Sequence, residues 1–186
     1  MPSLRRAVFL DRDGIINLEI FRAGAWRPPS ALSELRFAPG VDDCLAHLKR
    51  LGFLLVIVTN QPDVARGQQT VARVEEMHAV LRSRMPIDDI YVCYHDDPDD
   101  CACRKPRPGM LLKAAEDHGL DLRESFLIGD RWRDVEAGRR VACRTVLVRN
   151  ESSRDQREAC PTFETNSLGS AVHWIAAHSQ GSASLV

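Results

Sequence analysis

The sequence has no long hydrophobic run, no excess of charge of either sign and no low-complexity tract. Its longest run of Ala, Val, Ile, Leu, Phe and Met covers only residues 53–58, whereas a membrane-spanning helix needs about 20 apolar residues. The 25 basic and 26 acidic residues leave a net charge of −1, so we expect no broad electrostatic surface for nucleic acid or anionic lipid. The sequence therefore predicts neither a membrane partner nor a nucleic-acid partner.

Features of a secreted protein are also missing. Asp11 interrupts the apolar stretch 7–10, which is too short for the core of a secretory signal. Cys93, Cys101 and Cys103 share a window of 11 residues, and in a reducing compartment such clustering indicates a metal site more often than disulfides. These observations predict a cytoplasmic protein. The remaining cysteines are predicted to serve as small apolar side chains: Cys44, Cys143 and Cys160.

A chain of 186 residues with 44% hydrophobic and 27% charged residues has the length and composition of one folded domain. We expect a monomer whose domain covers residues 1–178, followed by a frayed tail at 179–186. Short β-rich apolar runs alternate with helical patterns, which predicts a single α/β domain of the Rossmann type, with a parallel sheet and helices on both faces. The predicted strands are 7–10, 53–59, 90–94, 125–128 and 144–148, the predicted helices are 41–50, 71–85, 109–118 and 168–177, and 150–167 is a polar surface excursion.

Two carboxylates lie two positions apart after the first predicted strand. Asp11 and Asp13 are followed by Gly14, which allows a sharp turn, and ligands of such sheets bind beyond the carboxyl ends of the strands. One carboxylate could attack phosphorus while the other transfers a proton, provided that a cation offsets the repulsion between the first carboxylate and the phosphate. A polar turn in which aspartates cap backbone amides is the alternative for this motif alone.

Three further motifs agree with the phosphate chemistry. Their members lie at or just beyond the carboxyl end of a predicted strand: Thr59, Asn60, Lys105, Asp130 and Asp134. Taken together, D-x-D-G, a strand-terminal Thr, a later Lys and G-D-x-x-x-D resemble the four motifs of the haloacid dehalogenase (HAD) superfamily of phosphohydrolases. The resemblance covers residues 7 to about 148 and implies a phosphatase.

This resemblance implies a role for each matching residue. Asp11 would be the nucleophile that forms an aspartyl phosphate, and Asp13 would be the general acid and base. Thr59, with Asn60 beside it, and Lys105 would bind the phosphoryl oxygens. Taken alone, Lys105 could equally form a structural ion pair, but its position among the other motifs favours the catalytic role.

The resemblance also implies a Mg²⁺ site. Its ligands would be the carboxylates of Asp11 and Asp130 and the backbone carbonyl of Asp13. Asp134 would orient Lys105 or a metal-bound water. The ion and the lysine would supply positive charge to a transition state that spreads negative charge over three equatorial oxygens.

A second cluster supplies four ligands of the kind that zinc takes: Cys93, His95, Cys101 and Cys103. Four protein ligands leave no open position, which is typical of a structural Zn²⁺ site. Because Arg104 and Lys105 follow directly, a zinc-bound loop would also fix the phosphate-binding lysine. The acidic residues between the ligands are predicted to be solvated loop charges without a catalytic role: Asp96, Asp97, Asp99 and Asp100.

The spacing of the motifs leaves no room for a cap domain. Residues 14–58 and 60–104 each provide 45 positions, and predicted helices and the zinc loop fill much of both intervals. We therefore expect an open active site whose specificity comes from the loops 17–39 and 61–67 and from the zinc loop.

These features narrow the resemblance to the zinc-containing, uncapped branch of the superfamily, which acts on small phosphorylated metabolites. The resemblance implies a sugar bisphosphate as substrate, a heptose 1,7-bisphosphate cleaved at its 7-phosphate, with Arg66 and Arg104 as candidates to bind the sugar or its second phosphate. Arg131 is closer to the histidinol-phosphate phosphatases of the same branch, so histidinol phosphate is an alternative substrate. An alternative of a different class is a catalytically silent, zinc-stabilised interaction module.

Overall fold

Eight strands and five α-helices form the part of the chain that the computed structural model describes, residues 4–153 and 158–179. The strands are β1 (Ala7–Leu10), β2 (Ile20–Arg22), β3 (Ala25–Arg27), β4 (Leu54–Asn60), β5 (Asp89–Cys93), β6 (Phe126–Gly129), β7 (Arg144–Val148) and β8 (Phe163–Thr165). The helices are α1 (Val41–Arg50), α2 (Val71–Arg84), α3 (Gly109–His118), α4 (Trp132–Arg139) and α5 (Leu168–His178). None of the described helices is long and apolar enough to cross a membrane.

One parallel sheet organises the molecule. Its six strands lie in the order β5-β4-β1-β6-β7-β8, and every neighbouring pair is parallel. Because successive side chains of a strand point to opposite faces, Val8 and Leu10 join the core beneath α1 and α5, whereas Ala7 and Phe9 join the core beneath α3 and α4. The predicted single α/β domain, with helices on both faces of a parallel sheet, is confirmed.

The strand order also determines where a ligand can bind. From β1 the chain builds β4 and β5 on one side of the sheet and later β6, β7 and β8 on the other side. The connections that lead to the two neighbours of β1 therefore run to opposite sides of the sheet, which makes this position a topological switch point. In such sheets the ligand-binding crevice lies there, outside the carboxyl ends of the strands.

Three elements differ from the sequence-based expectation. The surface excursion predicted at 150–167 is wrong in part, because Phe163–Thr165 forms β8 and pairs with β7 at the edge of the sheet. Helix α4 was not predicted, since its short, charged sequence carries little apolar periodicity. The loop 17–39 contains an antiparallel hairpin formed by β2 and β3.

The burial of Ser179 and the exposure of Cys160 also differ from the sequence-based expectation. Ser179, predicted to begin the frayed tail, is buried, and its carbonyl accepts a hydrogen bond of 2.8 Å from Arg6. The rest of the predicted tail, residues 180–186, lies outside the described residues. Cys160 is exposed, so it is not an apolar core side chain. The other two scattered cysteines pack into or against the core, as predicted: Cys143 and Cys44.

Candidate active site and metal centres

Three neighbouring strands deliver polar residues to one edge of the sheet. Asp11 follows β1, Thr59 lies near the end of β4, and Asp130 follows β6. Gly14 completes the turn after the first strand with a φ of +85°, and a β-carbon at this position would collide with the Asp130 carboxylate. The turn therefore requires glycine for both conformation and space.

Lys105 lies at the same edge, although it comes from the loop after β5. Its Nζ lies 3.0 Å from Asp11 Oδ1 and 2.5 Å from Asp134 Oδ1, and it donates a hydrogen bond of 2.7 Å to the carbonyl of Val58. Burial by itself would lower the pKa of Lys105, but the two carboxylates outweigh burial and raise this pKa above its usual value. Lys105 is therefore a buried cation that Asp134 holds beside Asp11.

Asp11, Asp130 and Asp134 can each place one carboxylate oxygen within 4.8 Å of the others, and we call this group the carboxylate cluster. Both oxygens of Asp130 are buried without a hydrogen-bond partner among the described residues, although Arg131 Nε lies 3.7 Å from Oδ1. Burial, aided by the neighbouring carboxylates, raises the pKa of Asp130 well above its usual range. Burial also raises the pKa of Asp11 to about 7, against the attraction of Lys105. Buried oxygen donors that lack a cation fit Mg²⁺.

The Asp13 carboxylate is enclosed by hydrogen-bond donors. Arg12 donates through Nε (3.1 Å) and Nη2 (2.9 Å), Asn17 through Nδ2 (2.9 Å) and Gln61 through Nε2 (2.8 Å). Burial would raise the pKa of Asp13, but the Arg12 charge and these hydrogen bonds outweigh it and lower the pKa. Asp13 is therefore an anion in this structure, and it lines the same pocket as Asp11.

Asn60 and Gln61 connect the end of β4 to the other site residues. The Asn60 amide donates to the Lys105 carbonyl, and its oxygen accepts from the Lys105 backbone N–H, both at 3.1 Å. Gln61 Nε2 donates to the Thr59 hydroxyl (2.9 Å) as well as to Asp13. Asn60 thus fixes the backbone of the Lys105 loop. Gln61, to which the sequence assigned no role, links Thr59 to Asp13.

The four predicted zinc ligands also converge, and we call them the thiol cluster: Cys93, His95, Cys101 and Cys103. Their sulfur atoms lie 3.3, 3.4 and 3.6 Å apart, and His95 Nδ1 lies 3.4 Å from Cys103 Sγ. Ligands of a tetrahedral Zn²⁺, with bonds of about 2.3 Å to sulfur and about 2.0 Å to nitrogen, would be separated by roughly 3.5 to 3.8 Å. The cluster therefore fits that ion.

Three acidic residues of the loop between Cys93 and Cys103, which were predicted to be solvated charges, instead form ion pairs with arginines: Asp96, Asp97 and, through Arg107, Asp100. The Asp96 carboxylate accepts from Arg66 Nε (2.7 Å) and Nη2 (2.8 Å), and Asp97 accepts from Arg104 Nε (2.6 Å). Arg66 Nη1 also donates to Asp63 at 3.2 Å. Both arginines line the pocket, but loop carboxylates already engage their guanidinium groups.

A cavity of about 170 Å³ lies over this edge of the sheet. Its lining includes Trp26, Arg27 and Pro28 from the β2–β3 hairpin and the loop that follows it. The intervals 14–58 and 60–104 hold the hairpin, loops and α1 and α2, but no second domain, so the predicted absence of a cap is confirmed. The loop 17–39 was predicted to contribute to specificity, but the hairpin within it and these individual residues were not. Two short apolar runs around an Ala-Gly pair were the available signal.

Comparison with known proteins agrees with the phosphatase motifs at this site. Residues 102–171 match the family described as HAD-hydrolase-like. A D-glycero-beta-D-manno-heptose-1,7-bisphosphate 7-phosphatase of Helicobacter pylori (strain J99) is 34% identical over 181 residues, which are 94% of this chain and 99% of that protein. The Pseudomonas aeruginosa protein of the same name is 37% identical over 154 residues, 78% of this chain and 82% of that protein.

A solved structure extends the likeness to the fold. The D,D-heptose 1,7-bisphosphate phosphatase from B. bronchiseptica, complexed with magnesium and phosphate, matches with a TM-score of 0.79 and 27% identity. The match covers 93% of this chain and 99% of that chain. With this fold, these relatives and the assembled motifs, the chain belongs to the HAD-like phosphatases, in the family that contains the heptose-1,7-bisphosphate 7-phosphatases.

Proposed function

We propose that this protein is a Mg²⁺-dependent phosphomonoesterase that removes the 7-phosphate of D-glycero-D-manno-heptose 1,7-bisphosphate. The observation that carries the proposal is that Asp11, Lys105 and Asp130 lie together at the switch point of the sheet. The relatives of this chain are named for this reaction. A silent interaction module would gain nothing from buried carboxylates without donors, because such groups destabilise a fold. Since free cysteines are typical of a reducing compartment and all six cysteines are free, we place the enzyme in the cytoplasm, as a monomer.

The side chains of the site account for both halves of the reaction. Asp13, an anion in the free protein, takes the proton of a phosphate monoanion and gives it to the sugar oxygen, while an Asp11 oxygen forms a bond to phosphorus and the bond from phosphorus to the sugar oxygen breaks. Asp13 then takes a proton from a water whose oxygen attacks phosphorus, and the bond to Asp11 breaks. Asp13 passes this proton to the inorganic phosphate, which leaves, and both carboxyl groups are anions again as at the start. Lys105 stabilises the charge on the equatorial oxygens.

Two metal ions fit this mechanism. Mg²⁺ would be held by the carboxylates of Asp11 and Asp130 and by the Asp13 backbone carbonyl, and when bound it offsets the repulsion between nucleophile and phosphate. We assign Asp134 to Lys105 rather than to the metal, because their charged atoms lie 2.5 Å apart. Zn²⁺ in the thiol cluster would have a structural role, fixing the loop that ends at Lys105.

The second phosphate of a bisphosphate needs a cation on the pocket wall. Arg66 and Arg104 line the pocket, but Asp96 and Asp97 hold them, so a phosphate would have to share these arginines with loop carboxylates. Arg27 lines the same pocket and forms no ion pair with any carboxylate in the described part of the chain. We therefore add Arg27 to Arg66 and Arg104 as a candidate for the second phosphate.

Histidinol phosphate is the second candidate substrate. Arg131 forms an ion pair of 2.7 Å with Glu19, and both residues line the pocket. Glu19 Oε2 is buried and has no hydrogen-bond partner among the described residues. A buried carboxylate oxygen of this kind could accept a hydrogen bond from a sugar hydroxyl or from the amine of histidinol phosphate.

A substrate panel tests the proposal. Phosphate release should be measured with Mg²⁺ for heptose 1,7-bisphosphate, fructose 1,6-bisphosphate, histidinol phosphate and an aryl phosphate, with Asp11→Asn as the inactive control. We expect the heptose bisphosphate to have the highest kcat/KM. A clear preference for histidinol phosphate would move the assignment to the second candidate. Absence of Mg²⁺-dependent phosphate release from all four compounds would refute the phosphatase itself.

A further inference from the structure

Arg12 lies behind the general acid and base, in the interior of the protein. Its side chain is 0% exposed, and it donates to both carboxylate oxygens of Asp13. The remaining terminal nitrogen, Nη1, lies 3.2 Å from His78 Nε2, and His78 is also 0% exposed. A buried guanidinium needs acceptors for its N–H groups. Asp13 supplies them on one side, and His78 supplies one on the other.

The chemistry of the guanidinium fixes the tautomer of His78. Arginine can only donate hydrogen bonds, so Nε2 must present a lone pair and the ring proton must be on Nδ1. Nδ1 lies 3.1 Å from Glu75 Oε1 and therefore donates to it, and the Tyr94 hydroxyl donates to the same oxygen at 2.6 Å. Burial, together with the Arg12 charge, lowers the pKa of His78 to about 4, which agrees with a neutral ring.

We propose that His78 and Glu75 are positioning residues, which hold Arg12 against Asp13 and thereby aim Asp13 at the leaving oxygen of the substrate. This inference rests on the proposed function, because it takes Asp13 as the proton donor. Neither His78 nor Glu75 lines the cavity, so they act only through Arg12. Without an acceptor at Nη1, Arg12 would be free to turn. The Asp13 carboxylate would then be oriented mainly by its remaining hydrogen-bond donors, Asn17 and Gln61.

The leaving group of the substrate separates this role from general support of the fold. An alkoxide leaving from a sugar phosphate needs a proton in the transition state, whereas a nitrophenolate leaves without one. A misoriented Asp13 should therefore slow the transfer of the phosphoryl group to Asp11 from alkyl phosphates but not from aryl phosphates, whereas the later hydrolysis of the aspartyl phosphate, in which Asp13 activates water, is the same for both. A merely loosened fold would slow both to the same extent.

The experiment compares His78→Leu with His78→Gln in the full-length protein. Leucine offers Arg12 no acceptor, whereas the glutamine amide oxygen can replace the Nε2 lone pair. The readout is kcat/KM, which covers the steps up to release of the leaving group, for the best sugar phosphate of the substrate panel and for p-nitrophenyl phosphate. We expect His78→Leu to lower kcat/KM for the sugar phosphate by about 10- to 100-fold and kcat/KM for the aryl phosphate by less than about threefold. His78→Gln should recover most of the loss.

A partly exposed partner keeps the test valid if His78→Leu does not fold. The Glu75 side chain is 43% exposed, so we expect Glu75→Ala to fold and to show the same leaving-group selectivity at about 3- to 10-fold. The matched control is Glu76→Ala, at the exposed next residue of α2, which should behave as wild type. Equal losses on both substrates, or no loss in Glu75→Ala, would overturn the inference. A wild-type protein inactive on both compounds would instead refute the proposed function.

Discussion

The thiol cluster and the carboxylate cluster both gather metal-ligating side chains, but the chain builds them in opposite ways. The thiol cluster comes from 11 residues, 93–103, at the end of one strand. In the carboxylate cluster, Asp11 joins Asp130 and Asp134 only because the sheet places β6 beside β1. The first cluster is a property of one loop. The second is a property of the whole topology.

The two clusters also differ in their expected effect on stability. Neutral thiols can hydrogen-bond to one another, and a bound structural metal adds its binding free energy to folding. Three carboxylates share one buried region with a single lysine, and both oxygens of Asp130 lack a hydrogen-bond partner there. We therefore infer that the thiol cluster stabilises the fold, whereas the carboxylate cluster destabilises it in return for catalysis.

The largest effect is expected from Asp11→Asn, which removes the proposed nucleophile from the carboxylate cluster. The amide is nearly the same size but cannot form the aspartyl phosphate, so kcat should fall at least about a thousandfold. Steady-state phosphate release measures the loss, and a thermal melt confirms that the variant is folded. Turnover near the wild-type level, in a preparation free of wild-type protein, would contradict the aspartyl-phosphate mechanism.

The sequence predicted the thiol cluster more directly than the carboxylate cluster. The ligands of the thiol cluster could be identified from their spacing alone, whereas Asp11, Thr59, Lys105 and Asp130 needed a family resemblance to be grouped. Ion pairs such as Asp96 with Arg66 were not predictable, because they join two loops whose relative position depends on the packing of α2 and β5. His78 gave no signal, since a histidine on an amphipathic helix does not reveal whether it contacts a buried arginine.

Asp130→Asn should separate activity from stability. We expect activity to fall by at least about 100-fold, because one proposed Mg²⁺ ligand is lost. In the protein without added Mg²⁺, unfolding free energy should rise by about 1 to 3 kcal/mol, since a buried carboxylate without donors is replaced by a neutral amide. Chemical denaturation at pH 7 measures the change. A destabilised variant would show that Asp130 supports the fold.

The pH dependence provides a second check on the same variant. The pKa of Asp11 is raised by burial from 3.8 to about 7, and the pKa of Asp130 is raised as well. Between about pH 4 and pH 7 the folded protein therefore binds more protons than the unfolded chain. Stability without Mg²⁺ should therefore fall as pH rises from about 4 to 7. Asp130→Asn should make this slope shallower.

Cys101→Ser should have the opposite effect on stability. Serine is a poor zinc ligand, so metal affinity should drop by at least about 10- to 100-fold, and the melting temperature should fall with it. Activity should decline about tenfold or less, because the loop that carries Lys105 loosens but Asn60 still holds its backbone.

Metal analysis of wild-type protein purified without chelator should give about one zinc per chain. Full activity and stability in metal-free wild-type protein would contradict a structural zinc role. The exposed Cys160 provides the matched control, since Cys160→Ser should change neither property.

The smallest effects are expected on the pocket wall, away from both clusters. One charge-assisted contact to a second phosphate contributes about 1.5 to 3 kcal/mol, so the bisphosphate should exceed its monophosphate analogue by roughly 10- to 150-fold in kcat/KM. Arg27→Ala should reduce this ratio by about 3- to 10-fold. Arg66→Ala should reduce it less, because Asp96 already holds that guanidinium. Arg22→Ala is the matched control, since Arg22 lies on the same hairpin but pairs with Glu34 at 3.0 Å. An unchanged ratio in Arg27→Ala with a collapsed ratio in Arg66→Ala would show that the second phosphate displaces Asp96, and equal rates for mono- and bisphosphate in the wild type would remove the need for any second cation.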